Sequence, residues 1–157
     1  MVVKGFQGRA VFLGTYEHAI DAKGRVSVPK KFLEHFREPG QRRMFFATKG
    51  FDRCIALYTS EGWDAAVAKV RKNQMDDDEA HRAFKRTFFS LASELEVDSS
   101  GRVLLPAKLR ASAEIGDDAV FVGVDDHLEI WSAKGWKAHE ERHETRFEEH
   151  AKGIFRA

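Results

Sequence analysis

Apolar and polar positions alternate loosely over residues 12–20, stop at residues 21–24, and resume as Val26-Ser27-Val28 before Pro29. Period-two alternation with β-branched residues predicts two strands. Gly24 supplies the positive φ that a tight connection between them demands. Pro29 ends the ladder and suits the first turn of a helix. Phe32, Leu33 and Phe36 then fall on one helical face within residues 30–37, and Glu38-Pro39-Gly40-Gln41 breaks that helix. Further strands are expected at residues 44–47 and 54–59. Ser60 is the expected N-cap of a helix that carries Trp63, Ala66, Val67 and Val70 on one stripe.

The pattern then repeats. Asp21-Ala22-Lys23-Gly24-Arg25-Val26-Ser27-Val28-Pro29 returns as Asp98-Ser99-Ser100-Gly101-Arg102-Val103-Leu104-Leu105-Pro106, an offset of 77. Gly50-Phe51-Asp52 returns as Gly123-Val124-Asp125, and Gly62-Trp63 as Gly135-Trp136, at an offset of 73. The first unit therefore has four extra residues near 37–43, the loop-length change expected between stable elements. These matches predict an internally duplicated α+β fold, with units at residues 15–62 and 91–134. Between them, residues 75–92 read as a connecting amphipathic helix. Asp76-Asp77-Asp78-Glu79 lies at its favourable N-terminal end, and Ala80, Ala83, Phe84, Thr87, Phe88 and Leu91 form its apolar side. Residues 1–11 show no periodicity and read as a flexible leader. Residues 135–157 read as a charged C-terminal helix with Trp136 and Phe147 as its few large apolar residues. So thin a stripe suits a peripheral helix or one that docks on another subunit.

Composition adds constraints. With 43% hydrophobic and 32% charged residues in 157, the chain matches an ordinary globular protein. No apolar run approaches the ~20 residues that span a bilayer, and Val11-Phe12-Leu13 is too short for a signal-peptide core. One cysteine, Cys54, excludes an internal disulfide and an all-cysteine metal site, and reads as a small buried hydrophobe in a reducing cytoplasm. The net charge of +1 conceals +6 over residues 1–50 and −5 over residues 94–157. Such polarity makes the front half a candidate for binding a polyanion.

His139-Glu140-Glu141-Arg142-His143 satisfies the H-E-x-x-H zinc pattern. Arg146 and Glu149 stand where an extended signature needs Gly and His, and 14 residues after His143 cannot form a separate helix bringing a third ligand. It reads as a chance match on a charged helix. No phosphate-cradling glycine pattern and no activated nucleophile is present, so no enzyme, cofactor or metal is expected. The two D-x-x-G-R turns remain. Asp21 and Arg25, like Asp98 and Arg102, are four apart and can lock a hairpin through a charge-assisted contact, with Gly24 and Gly101 completing the turns. An arginine fork in such a loop also matches guanine O6/N7 or phosphate. Lys23, Lys30 and Lys31 surround the first turn; Ser100, Ala107 and Lys108 hold the matching places in the second. The first turn is thus the better anion-facing candidate, with Lys30 and Lys31 acting on phosphate.

Three stretches resemble the MraZ family of SpoVT/AbrB-like bacterial DNA-binding proteins. They are Gly14-Thr15-Tyr16-Glu17-His18, Asp21-x-Lys23-Gly24-Arg25-Val26-Ser27-Val28-Pro29, and Asp98-x-x-Gly101-Arg102-Val103-Leu104-Leu105-Pro106-x-x-Leu109-Arg110. The resemblance runs from Phe12 to Trp136. It implies tandem swapped-hairpin β-barrel halves and a homo-oligomeric ring. It also implies a cytoplasmic, nucleoid-associated regulator of the division and cell-wall gene cluster that binds repeated promoter boxes in double-stranded DNA. Lys23 and Arg25 inherit the DNA contact, and Arg102 inherits it more weakly because its turn lacks the lysine. Family members commonly start near Phe12, which marks residues 1–11 as an extension or a mis-set start. The alternative reading is an antitoxin-type interaction module with secondary DNA binding.

Overall fold

The computed structural model describes residues 1–5, 9–72 and 78–155. The first unit contributes β1 (Val2–Lys4), β2 (Ala10–Phe12), β3 (Thr15–Ala19), β4 (Arg25–Ser27), α1 (Lys30–Leu33), β5 (Met44–Lys49), β6 (Ile55–Tyr58) and α2 (Ser60–Lys72). After α3 (Glu79–Ser90), the second contributes β7 (Ser93–Glu96), β8 (Arg102–Leu104), α4 (Ala107–Ser112), β9 (Asp118–Val124), β10 (His127–Ser132), α5 (Ala133–His143) and α6 (Phe147–Ala151).

The two units are interleaved. A six-stranded antiparallel sheet runs β3-β9-β10-β6-β5-β7, so each unit's opening strand lies in the other's half. Thr15 pairs with Val122, Met44 with Glu96, and the central strands meet with Ala56 opposite Glu129. The order is palindromic: equivalent strands of the two units occupy equivalent places about the β6–β10 seam. β4 and β8 leave this sheet and pair with each other as a two-stranded ribbon, Val26 opposite Val103. The bridge Ile20–Val26 ties the ribbon back to β3. The described strands form an α+β fold of three antiparallel sheets: the six-stranded sheet, the β4–β8 ribbon and a β1–β2 hairpin.

One core accounts for this arrangement. Val26, Val28, Phe32, Phe45, Ile55 and Leu57 from the first unit bury against Leu95, Val103, Leu105, Leu109, Phe121, Leu128 and Ile130 from the second. Each large side chain fully buried this way contributes about 1.5–3 kcal/mol. Alternation along β9 sends Val120 and Val122 to the opposite face, where they meet Cys54 and Trp131. Trp136 of α5 covers that face, its ring 5.4 Å from Trp131. Cys54 is fully buried, and desolvation pushes its thiol far above the ordinary value, as expected of an inert core cysteine.

Several local expectations change. Residues 2–4 pair as a strand with residues 10–12, Val3 opposite Val11, although residues 1–11 read as an aperiodic leader. Strands of three residues are too short to display a period. Phe12, 1% exposed, anchors this β1–β2 hairpin by packing on Phe32. Helix α1 stops at Leu33 and does not reach residue 37. Among residues 34–37 Phe36 packs against Phe45 and His35 lies beside Phe12, too little to hold a further helical turn. The N-cap of α2 is supplied by Thr59, not Ser60: its Oγ1 accepts from the Gly62 N–H at 3.1 Å. Ser132 repeats this cap on α5 through the Gly135 N–H at 2.9 Å. Asp78 caps α3 by accepting from the His81 N–H, whereas Asp76 and Asp77 lie outside the described residues. The expected last helix is interrupted by a 3-10 turn at Glu144–Arg146, over which no buried residue anchors the chain.

Candidate nucleic-acid interface

Each D-x-x-G-R turn is built around one carboxylate. Asp21 Oδ1 accepts from the backbone N–H groups of Lys23 and Arg25, both at 2.9 Å, and Oδ2 accepts from Arg25 Nε at 2.7 Å. The Gly24 N–H closes the turn onto the Asp21 carbonyl at 3.0 Å, with Gly24 at φ +86°. In the second turn Asp98 Oδ1 accepts from Ser100 and Arg102 N–H at 2.9 Å, and Arg102 Nε donates to Oδ2 at 3.1 Å. Gly101 has φ +79°. The Arg25 backbone N–H, and in the second turn that of Arg102, holds the carboxylate below its ordinary 3.8, against the opposing effect of desolvation. The arginines are thereby oriented while their terminal nitrogens have no partner among the described residues.

The two turns are joined into one surface. β4 and β8 run antiparallel between them, with Arg25 opposite Leu104 and Ser27 opposite Arg102. Val28 N–H donates to the Gly101 carbonyl and Leu105 N–H to the Gly24 carbonyl, so each strand extends into the other's turn. Val26 and Val103 point into the core, which leaves Arg25, Ser27, Arg102 and Leu104 on the outward face. His18 braces the ribbon from β3, with Nδ1 donating to the Ser27 carbonyl at 2.6 Å.

The turns differ in what lies over their glycines. A Cβ on Gly24 would stand 3.1 Å from the guanidinium carbon of Arg110, a residue of α4 in the second unit. A Cβ on Gly101 would instead meet Leu33 of α1 at 3.3 Å. Leu33 and Arg110 are equivalent positions at the offset of 77, so the exchange adds a third cation beside Lys23 and Arg25 at the first turn. Arg110 Nε donates to the Leu105 carbonyl at 3.3 Å. This contribution is not visible in linear order, because Arg110 is 86 residues from Gly24. Lys23, Lys30 and Lys31 are exposed; burial lowers the pKa of the Met1 ammonium, with the Glu34 charge opposing the shift and the Lys31 charge adding to it. At the second turn, Arg43 donates to the Asp98 carbonyl at 2.7 Å and is consumed in holding the backbone.

Other candidates are placed elsewhere. The His139 and His143 rings meet at a tilt of 44° with centroids 4.6 Å apart, and that of His150 lies 5.6 Å from His143. Among the described residues no group of three or more His, Cys, Asp or Glu side chains could hold a metal ion, and no helix is long and apolar enough to cross a membrane. A groove of about 360 Å³ between α2 and α3 is lined by Tyr58, Ala66, Val70, Phe84 and Phe88 among others.

Duplication, strand exchange and twin Asp–Arg turns define a tandem two-unit protein with one polar ribbon face. A family model described as "MraZ protein, putative antitoxin-like" matches residues 11–87 and again residues 88–156. The chain belongs to the MraZ family. It is 42% identical over 144 residues to a protein of Thermoanaerobacter named transcriptional regulator MraZ, covering 92% of this chain and 96% of that one. Relatives of the same name from Alkaliphilus oremlandii and Desulfitobacterium hafniense are 44% and 47% identical, over 81% and 80% of this chain and 85% and 84% of theirs.

Proposed function

We propose that this protein is a cytoplasmic transcriptional regulator that binds double-stranded DNA through the β4–β8 ribbon and its first turn. The observation that carries this reading is the grouping of Lys23, Arg25 and Arg110 around one turn, with Asp21 fixing the arginine. A two-stranded β-ribbon fits the major groove, and an oriented arginine fork matches guanine O6/N7. Arg25 supplies base readout, Arg102 a weaker second contact, and Lys30 and Lys31 supply phosphate contacts. The relatives' printed name, transcriptional regulator, supports the same class. By family resemblance the target is repeated promoter boxes of the division and cell-wall gene cluster, and the acting species is a nucleoid-associated homo-oligomeric ring. Repetition lets individual contacts of about 1–3 kcal/mol combine through avidity. The apolar groove between α2 and α3 offers a surface for self-association.

The test is binding of full-length protein to duplex DNA from the gene's own upstream region, with oligomer size followed by light scattering. Arg25→Ala should abolish preference for that DNA at unchanged size, and normal binding by R25A would remove Arg25 from the role. Lys30→Ala and Lys31→Ala should each reduce the salt slope of binding by about one. The antitoxin-type reading rests on the same groove and on the family description. It predicts a stoichiometric small protein partner on purification.

A further inference from the structure

Leu104 breaks the polarity of the ribbon's outward face. It is 57% exposed between Val103 and Leu105, each 1% exposed. The equivalent position in the first unit is Ser27, so the duplicated frame does not require an apolar side chain there. A single exposed leucine is ordinary on a protein surface. The position of this one is what matters: it is the direct cross-strand partner of Arg25. Side chains paired across an antiparallel ladder have Cβ atoms about 4.5–5.5 Å apart. That separation is about one and a half of the roughly 3.4 Å steps between bases on one strand. If Arg25 addresses one base pair, Leu104 lies over its neighbour.

In the major groove the apolar feature of a base edge is the C5-methyl of thymine. Leu104 offers it an uncharged surface and no hydrogen-bonding atom, so it favours thymine over a base whose edge there is polar. Given the DNA-binding reading on which this rests, we propose that Leu104 is a specificity-determining residue that contacts the methyl group of a thymine adjacent to the base pair addressed by Arg25. The two halves of the ribbon then read different chemistry. The Arg25–Leu104 pair recognises a hydrogen-bonding base edge beside a methyl group. The Ser27–Arg102 pair has no apolar member and recognises no methyl.

Replacing thymine by deoxyuridine removes that methyl and leaves base pairing intact. Duplexes from the upstream region, each with one thymine so replaced, would be titrated against the full-length wild type, L104A and L104S. For the wild type, one substituted position per bound box should weaken binding about fourfold, the scale expected for withdrawing one methyl-sized group from an apolar contact. L104A and L104S should bind the substituted and unsubstituted duplexes equally, at unchanged oligomer size, and R25A should lose its preference for both over unrelated DNA. Wild-type protein indifferent to every thymine methyl, or an L104A variant that keeps the preference, would overturn the role of Leu104 while leaving DNA binding intact. A change in oligomer size in both L104A and L104S would also overturn it, assigning the leucine to a contact between copies. Failure of the wild type to prefer the upstream DNA at all would instead overturn the DNA-binding reading.

Discussion

Arg110 of the second unit lies over Gly24 of the first, its guanidinium carbon 3.1 Å from the place a Cβ would take. Gly24 is buried, and its φ of +86° is a conformation that L side chains rarely adopt. Gly24→Ala should therefore destabilise the fold by about 1–2 kcal/mol through backbone strain. Gly101→Ala, at φ +79° beneath Leu33, should cost a similar amount. Denaturant melts would show both losses. Of the two glycine variants only G24A also displaces a cation from the turn, so G24A, like Arg110→Ala, should lower the salt slope of DNA binding, and G101A should not.

The turn carboxylates make stability fall in acid. Asp21 and Asp98 have pKa values below the ordinary 3.8 in the folded protein, chiefly because the Arg25 and Arg102 backbone N–H groups bond the ionised form. A depressed carboxylate contributes stability above its unfolded value, and this is lost as pH falls through the folded value. Between pH 5 and about pH 2 the wild type should lose stability more steeply than the D21N/D98N double variant. Equal slopes in urea melts across that range would show that the turns make no such contribution.

The opposite sign applies to His127. Burial works to lower its pKa, but hydrogen bonds to Glu129 and Asp126 outweigh it and raise the value above 6.5. Nδ1 lies 2.7 Å from Asp126 and Nε2 lies 3.4 Å from Glu129. The stabilisation is complete below the unfolded value and disappears as pH rises through the folded one. Raising the pH from 6 to 9 should weaken the wild type more than His127→Gln, as measured by the urea midpoint.

The cap of α2 gives a sharper local test. Thr59 Oγ1 accepts from Gly62 N–H, and Ser60 is the first helical residue. Thr59→Ala should lower stability by about 1 kcal/mol, while Ser60→Ala should change it by less than about 0.5 kcal/mol.

The features legible from sequence are those that depend on neighbours in the chain. Asp21, Gly24, Arg25 and Pro29 specify a turn and its exit over nine residues, and their recurrence at Asp98, Gly101, Arg102 and Pro106 reveals the duplication. Lys23 and Ser100 distinguish the two turns for the same reason. Arg110 could not be placed at the first turn, because its approach to Gly24 exists only once β8 of one unit pairs with β4 of the other. Leu33 and Arg110, aligned by the offset of 77, are the trace that could have suggested it. Adjacent hydroxyls at Thr59 and Ser60 both suit a cap, and only backbone geometry selects between them. Strands β1 and β2 escape detection because three residues on either side of a glycine-containing connection cannot establish a period.

Strand exchange also sets the order of events during synthesis. Thr15 must wait for Val122 before β3 has a partner in the sheet. At about 5–20 residues per second, that delay is roughly 5–20 s. For most of it β5 lacks β7, β4 lacks β8, and the first turn lacks Arg110. The nascent first half is thus an incomplete template with open hydrogen-bonding edges, and the second half closes them as it leaves the ribosome. Gene duplication has here produced two halves that mature together, so a ribosome stalled between them would hold a chain with no finished domain.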